Sequence, residues 1–130
     1  MVTILRTLTA LSGLGLLVVG LGWWVHPAAA ADMLGSSLLD GTGRTTQIGD
    51  SGAFFIGAGS MLLWGAIRKA PTLLIAGGGL VGLVIPGRIL SASIHGGSQT
   101  PDEIIAEGVV FFLAVATAAA VNRITNTTFG

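Results

Sequence analysis

Residues 72–94 read TLLIAGGGLVGLVIPGRILSASI, and the class of the fold turns on this run. A helix needs about 20 apolar residues to cross the hydrocarbon core of a bilayer, and the run is that long. Against this stands Arg88, an always-charged side chain near its end. A soluble protein could bury such a run only behind a charged surface. Charged residues make up 9% of the 130 in this chain, too few for that surface, since ordinary domains carry about 25%. The mean hydropathy is +0.85. The run is therefore a membrane span, and Arg88 is the residue that needs explaining.

Working outward, three more stretches have span length. They cover about residues 5–25, 49–67 and 101–122, so residues 1–130 read as a single four-span transmembrane domain. Arg6 opens the first span, and Trp23 and Trp24 close it as an interfacial belt. A rival reading takes the first run and the following HPAAAADM as a secretory signal with its cleavage site. The length of the apolar run and the Trp pair favour a retained helix. Pro27 to Ile48 form the longer connection, with a short helix expected around Met33 to Leu39. Thr100 and Pro101 suit the N-cap and first position of the last helix, and Asp102 with Glu103 suits the positive end of its dipole. The expected fold is all-α, an integral membrane four-helix bundle running up-down-up-down, because short connections impose antiparallel neighbours.

Arginines and lysines set the orientation. Arg6, Arg68, Lys69 and Arg123 fall on one side and Arg44 on the other, which places both termini in the cytoplasm. The tail motif Asn126-Thr127-Thr128 matches a glycosylation acceptor and has no meaning on that side. Chain direction then brings an ionisable group from every helix into the outer third: His26, Asp50, Arg88 and Glu107. Arg88, Ser91 and His95 share one helix face, as do Glu103 and Glu107. A lipid-facing charge at this depth costs on the order of 3 kcal/mol. Arg88 should therefore face inward and pair, with Glu107 as first partner by depth and Asp50 as second. Pro86 should kink the third helix by removing the donor for the Gly82 carbonyl. The expected result is an inward-facing polar network of Arg88, Glu107, Asp50, Ser91 and His95, either a staple that sets helix register or a recess for a polar headgroup.

Other features narrow the chemistry. Gly78 and Gly82 have GxxxG spacing, and Ala116 and Ala120 make a similar small-residue seam, both read as helix packing. The same glycines do not form a phosphate loop, because no strand precedes them and no lysine follows. The two histidines and scattered carboxylates lack metal-ligand spacing, and with no cysteines no thiolate site exists. No metal and no cofactor is expected. No Ser–His–acid set converges, so the chain does not read as an enzyme. Basic and acidic residues cancel, which offers nothing to nucleic acid.

The strings TQIGDSGAFFIGAGSMLLWGA, GRILSASIHGG and EGVVFFLAVA resemble the uncharacterised four-span bacterial membrane proteins grouped as DoxX-like. The matching positions are Asp50, Gly52, Gly87, Arg88, Gly96 and Glu107. The chain departs at His95, where many relatives carry an aspartate. The resemblance implies a four-helix bundle with no assigned activity. Some DoxX-like relatives are subunits of quinone-linked membrane oxidoreductases, which implies a partner. The leading expectation is thus an accessory or interaction subunit that packs on another membrane protein or on itself. The alternatives are a module binding a lipid, quinone or other small amphiphile at the outer recess, and a small transporter.

Overall fold

A computed structural model describes residues 1–128. The side chain of Thr128, which completes the acceptor motif, lies outside the described part, as do Phe129 and Gly130. Six helices follow in order: α1 (Val2–Val25), α2 (Pro27–Met33), α3 (Gly41–Arg68), α4 (Pro71–Gly82), α5 (Val84–Ile94) and α6 (Pro101–Thr128). Taken with α4 and α5 as one broken span, four helices are long and apolar enough to cross a membrane. The described residues are all-α, and the four spans pack as a bundle.

Antiparallel order is visible in which residues meet. Gly13 lies against Gly59 and Leu63, and Gly20 against Phe55 and Ile56. Gly65 meets Leu73 and Leu74, and Gly77 meets Ala58 and Met61. Gly78 lies against Ala114, while Thr9 reaches Leu113 and Thr117 across the remaining gap. The contacts α1–α3, α3–α4, α4–α6 and α6–α1 close the ring. The start of α1, the end of α6 and the Lys69 turn lie at one end, termed basal. The α1–α3 connection and the α5–α6 turn lie at the other, apical end.

Local chemistry explains the breaks. Pro27 opens α2, whose Ala30 and Ala31 cover Trp23. The short helix is thus Pro27–Met33 and not Met33–Leu39, since proline suits a first turn and Gly35 at φ +68 ends the turn that follows. Trp23 is buried at 2% exposure and Trp24 is 59% exposed, so one belongs to the core and only the other to a belt. Helix α3 starts at Gly41 rather than near Gly49. The polar residues GTGRTTQ extend it because their side chains satisfy the backbone of the preceding loop. Arg44 Nε donates to the Leu39 carbonyl at 2.8 Å, and the Gln47 amide bonds Leu39 N–H and the Ser37 carbonyl. The third span breaks at Leu83, one turn before Pro86. Restarting there puts proline in the first turn of α5, where its missing N–H costs nothing.

Besides the apical cluster of Trp23, Ala30 and Ala31, the core sits in the basal half. Ala58, Leu62, Ala66, Leu74, Val81, Ala114, Thr117, Ala118 and Val121 are buried there, with Thr9. Helix α5 contributes no buried residue and packs mainly on α6. Arg6 crosses to the end of α3, with Nε donating to the Ala66 carbonyl at 2.8 Å and Nη2 to the Ile67 carbonyl at 3.1 Å. These are orphan carbonyls at the negative end of a helix dipole, where a cation is favoured.

Candidate functional site

The site begins with two glycines. A Cβ at Gly78 would fall 2.5 Å from Ala114 Cβ, and one at Gly82 would fall 2.8 Å from the Phe111 ring. Their absence lets α4 approach α6 closely. Beyond the Leu83 break, α5 carries Arg88 along α6 to Glu107. Arg88 Nε donates to both Glu107 oxygens, at 2.8 and 3.0 Å, and Nη2 lies 2.8 Å from Oε1. Nη1 makes a long 3.4 Å bond to Thr100 Oγ1 at the α6 entrance. The side chains are 30% and 15% exposed. A recess of about 190 Å³ opens beside the guanidinium, with Ala92, Gln99, Thr100 and Ile104 in its wall.

The other expected members lie elsewhere. Asp50 is exposed and forms no ion pair or hydrogen bond among the described residues, because α5 packs mainly on α6 and away from α3. Ser91 serves the turn: its carbonyl accepts from His95 N–H and Gly97 N–H, and its hydroxyl sits against Gly97. Gly96 at φ +70 makes that reversal possible. His95 is exposed at the end of α5. Glu103 is half-buried and has no ion-pair partner among the described residues. On α6 the inward seam is Ala114, Thr117, Ala118 and Val121, whereas Ala116 is exposed and Ala120 half-buried. At 3.6 residues per turn, Ala116 stands on the far side from Ala114.

Two further contributors, a glycine crossing and a hydroxyl pair, were not expected from the sequence. Gly13 and Gly59 oppose one another across α1 and α3, with Gly20 one heptad on from Gly13 and Gly52 one heptad before Gly59. That seven-residue spacing was the available clue. Thr9 and Thr117, both 0% exposed, share a 2.8 Å hydroxyl bond across α1 and α6. Interhelical bonds of this kind average about 0.6 kcal/mol and reach about 1.7. Thr9→Val and Thr117→Val should each destabilise the bundle within that range. A double-mutant cycle by denaturant unfolding in detergent should show coupling, and strict additivity of the two losses would remove the bond from the stability account.

Further hollows follow the same seam toward the basal end. An apolar trough of about 690 Å³ follows the outside of the α4–α6 seam, floored by Gly79, Gly82 and Gly108 and walled by Leu83, Pro86 and Phe112. It shares Ile75 and Ala76 with a basal segment of about 520 Å³. The apical recess lies on the same faces, since Ile104 and Gly108 are one turn apart on α6 and Pro86 and Ile89 one turn apart on α5. Nothing lies within 4 Å of a Cβ built at Gly79 or Gly108, so these glycines leave open space rather than a helix contact. Among the described residues no three His, Cys, Asp or Glu side chains converge as metal ligands. No protein-family model matches the chain, and neither the curated proteins nor the solved structures searched contain a match.

Proposed function

We propose that the chain is a non-catalytic membrane module that holds one amphiphile along the α4–α6 seam, head at Arg88 and tail in the glycine-floored trough. The observation that carries this reading is the alignment of a polar recess with apolar hollows along the same helix faces. Glu107 neutralises Arg88 but leaves part of the guanidinium fork unspent, because Nη1 has only the long bond to Thr100. A head with carbonyl or other neutral acceptors, such as a lipid ester or a quinone, matches that environment better than a free anion. Residence in a bacterial inner membrane, with the basal end in the cytoplasm, is part of the same proposal. So is kinship with DoxX-like proteins, which rests on the short strings alone.

A second reading, an accessory subunit of a larger membrane complex, is favoured by α5, which contributes no fully buried residue to its own chain. One experiment separates the two. Gly79 has room for a side chain, so Gly79→Leu should fill the trough and leave the bundle folded. Mass spectrometry of gently extracted protein should find a defined amphiphile near one per chain in the wild type, and at least tenfold less in Gly79→Leu. A stoichiometric protein partner with no amphiphile would transfer the function to the accessory reading.

A further inference from the structure

The charges of this protein are segregated by end. All six Asp and Glu residues lie apically, whereas Arg6, Arg68, Lys69 and Arg123 lie basally with no Asp or Glu side chain among them. Two of these four cations are committed. Arg6 donates to the last carbonyls of α3, and Arg68 sits over the Trp64 ring, 4.8 Å from its centroid. Lys69 and Arg123 are exposed and have no side-chain partner among the described residues. Both lie close along the chain to residues that line the basal mouth of the seam groove. Lys69 caps α3 in the tight turn just before Pro71, which lines the groove. Arg123 stands one turn beyond Ala119, another lining residue, on the same face of α6.

The mouth itself is polar where the rest is apolar. Thr72 and Asn122, both exposed, face each other across the seam at its basal edge. Helix α4 begins there without a side-chain cap, so the first-turn N–H groups of Thr72 and Leu73 add positive potential to that of the two cations. Unpaired cations, polar donors and an apolar trough of about 520 Å³ therefore follow one another in the order of headgroup and acyl chain. We infer that the basal end of the α4–α6 groove is a binding site for an anionic phospholipid, its phosphate held by Lys69, Arg123, Thr72 and Asn122 and one acyl chain lying on Ile75 and Ala76. The two sites differ in head residues and head chemistry and share only the apolar lining at Ile75 and Ala76.

The test uses the full chain in nanodiscs containing equal phosphatidylglycerol and phosphatidylcholine with matched acyl chains, released and weighed by native mass spectrometry. Juxtamembrane cations contribute about fivefold each to binding of anionic lipid, so the wild type should retain phosphatidylglycerol about twentyfold over phosphatidylcholine. The double variant Lys69→Gln/Arg123→Gln should lose that preference and stay folded, since neither side chain holds another residue. Arg68→Gln, which removes a basal cation on the Trp64 side of α3, should keep it. Equal retention of the two lipids by the wild type would overturn the proposal. So would a loss in Arg68→Gln as large, per charge, as in the double variant, because that result means diffuse attraction to a basic surface.

Discussion

Gly59→Leu is expected to prevent the bundle from forming. A Cβ at residue 59 would lie 2.5 Å from the Leu17 amide nitrogen and 2.6 Å from the Gly13 carbonyl oxygen. Both are backbone atoms of α1, so no rotamer change relieves the clash and the helices must separate. The reciprocal contact is as tight, with a Cβ at Gly13 falling 2.6 Å from Leu63 N and 2.8 Å from Gly59 O. Overpacking against movable side chains costs about 1–3 kcal/mol, and a fixed backbone puts this substitution at or above about 3. The α1–α3 pair is the most extensive interface of the ring, so its loss removes the support for α2 and the Trp23 cluster as well. Purified variant should appear as aggregate in size-exclusion chromatography. Gly57→Leu is the control: two residues away on the same helix, its Cβ meets nothing within 4 Å. It should elute as the wild type does and gain slightly in helix propensity. Equal behaviour of the two variants would mean that α1 and α3 do not cross at Gly13 and Gly59.

The second large effect belongs to the ion pair. Glu107→Leu leaves Arg88 without its carboxylate about 9 Å below the end of α5, by helical rise. Breaking a buried pair from one side costs about 3–5 kcal/mol. Arg88 is 30% exposed and can reach toward the interface, so a value near about 2–3 is expected in detergent unfolding. Arg88→Leu/Glu107→Leu should recover most of that loss, because no uncompensated charge remains and α5 still rests on α6 through apolar contacts. The decisive readout is the amphiphile. If the pair presents a headgroup site, the double variant is stable and empty. A double variant as unstable as Glu107→Leu would make the pair a staple, and the recess would lose its claim to a ligand.

Much of this was legible without coordinates. Four runs of span length, few charges and short connections leave an antiparallel helical bundle as the solution, because backbone polar groups in hydrocarbon must be satisfied within each helix. The partnership of Arg88 with Glu107 followed from depth alone, since two opposite charges at matched height in adjacent antiparallel helices gain by meeting. Depth did not settle Asp50. It has a comparable height, but height says nothing of rotation about the helix axis, and α3 turns Asp50 outward. The same limit explains Ala116 and Ala120. When nearly every residue of a helix is apolar, no polar face marks which side looks inward, and Ala114 and Ala118 serve as well by composition. The early start of α3 depended on Arg44 and Gln47 reaching back to Leu39 and Ser37, a contact that propensity over a Gly- and Thr-rich stretch does not predict.

By itself, then, the sequence determined the class of the protein, its spans, their antiparallel order and the need of Arg88 for a carboxylate. These follow from the cost of placing peptide groups and charges in lipid, which is a property of residue type and position along the chain. Only the tertiary structure decided the rotation of each helix about its axis. That rotation selects Gly13, Gly59 and Gly78 as crossing points, turns Trp23 inward and Trp24 outward, and leaves Gly79 and Gly108 as the floor of an open groove. The physical reason is that helix rotation in a bilayer is set by steric fit between neighbouring surfaces, because lipid and side chains are almost equally apolar and burial supplies no preference.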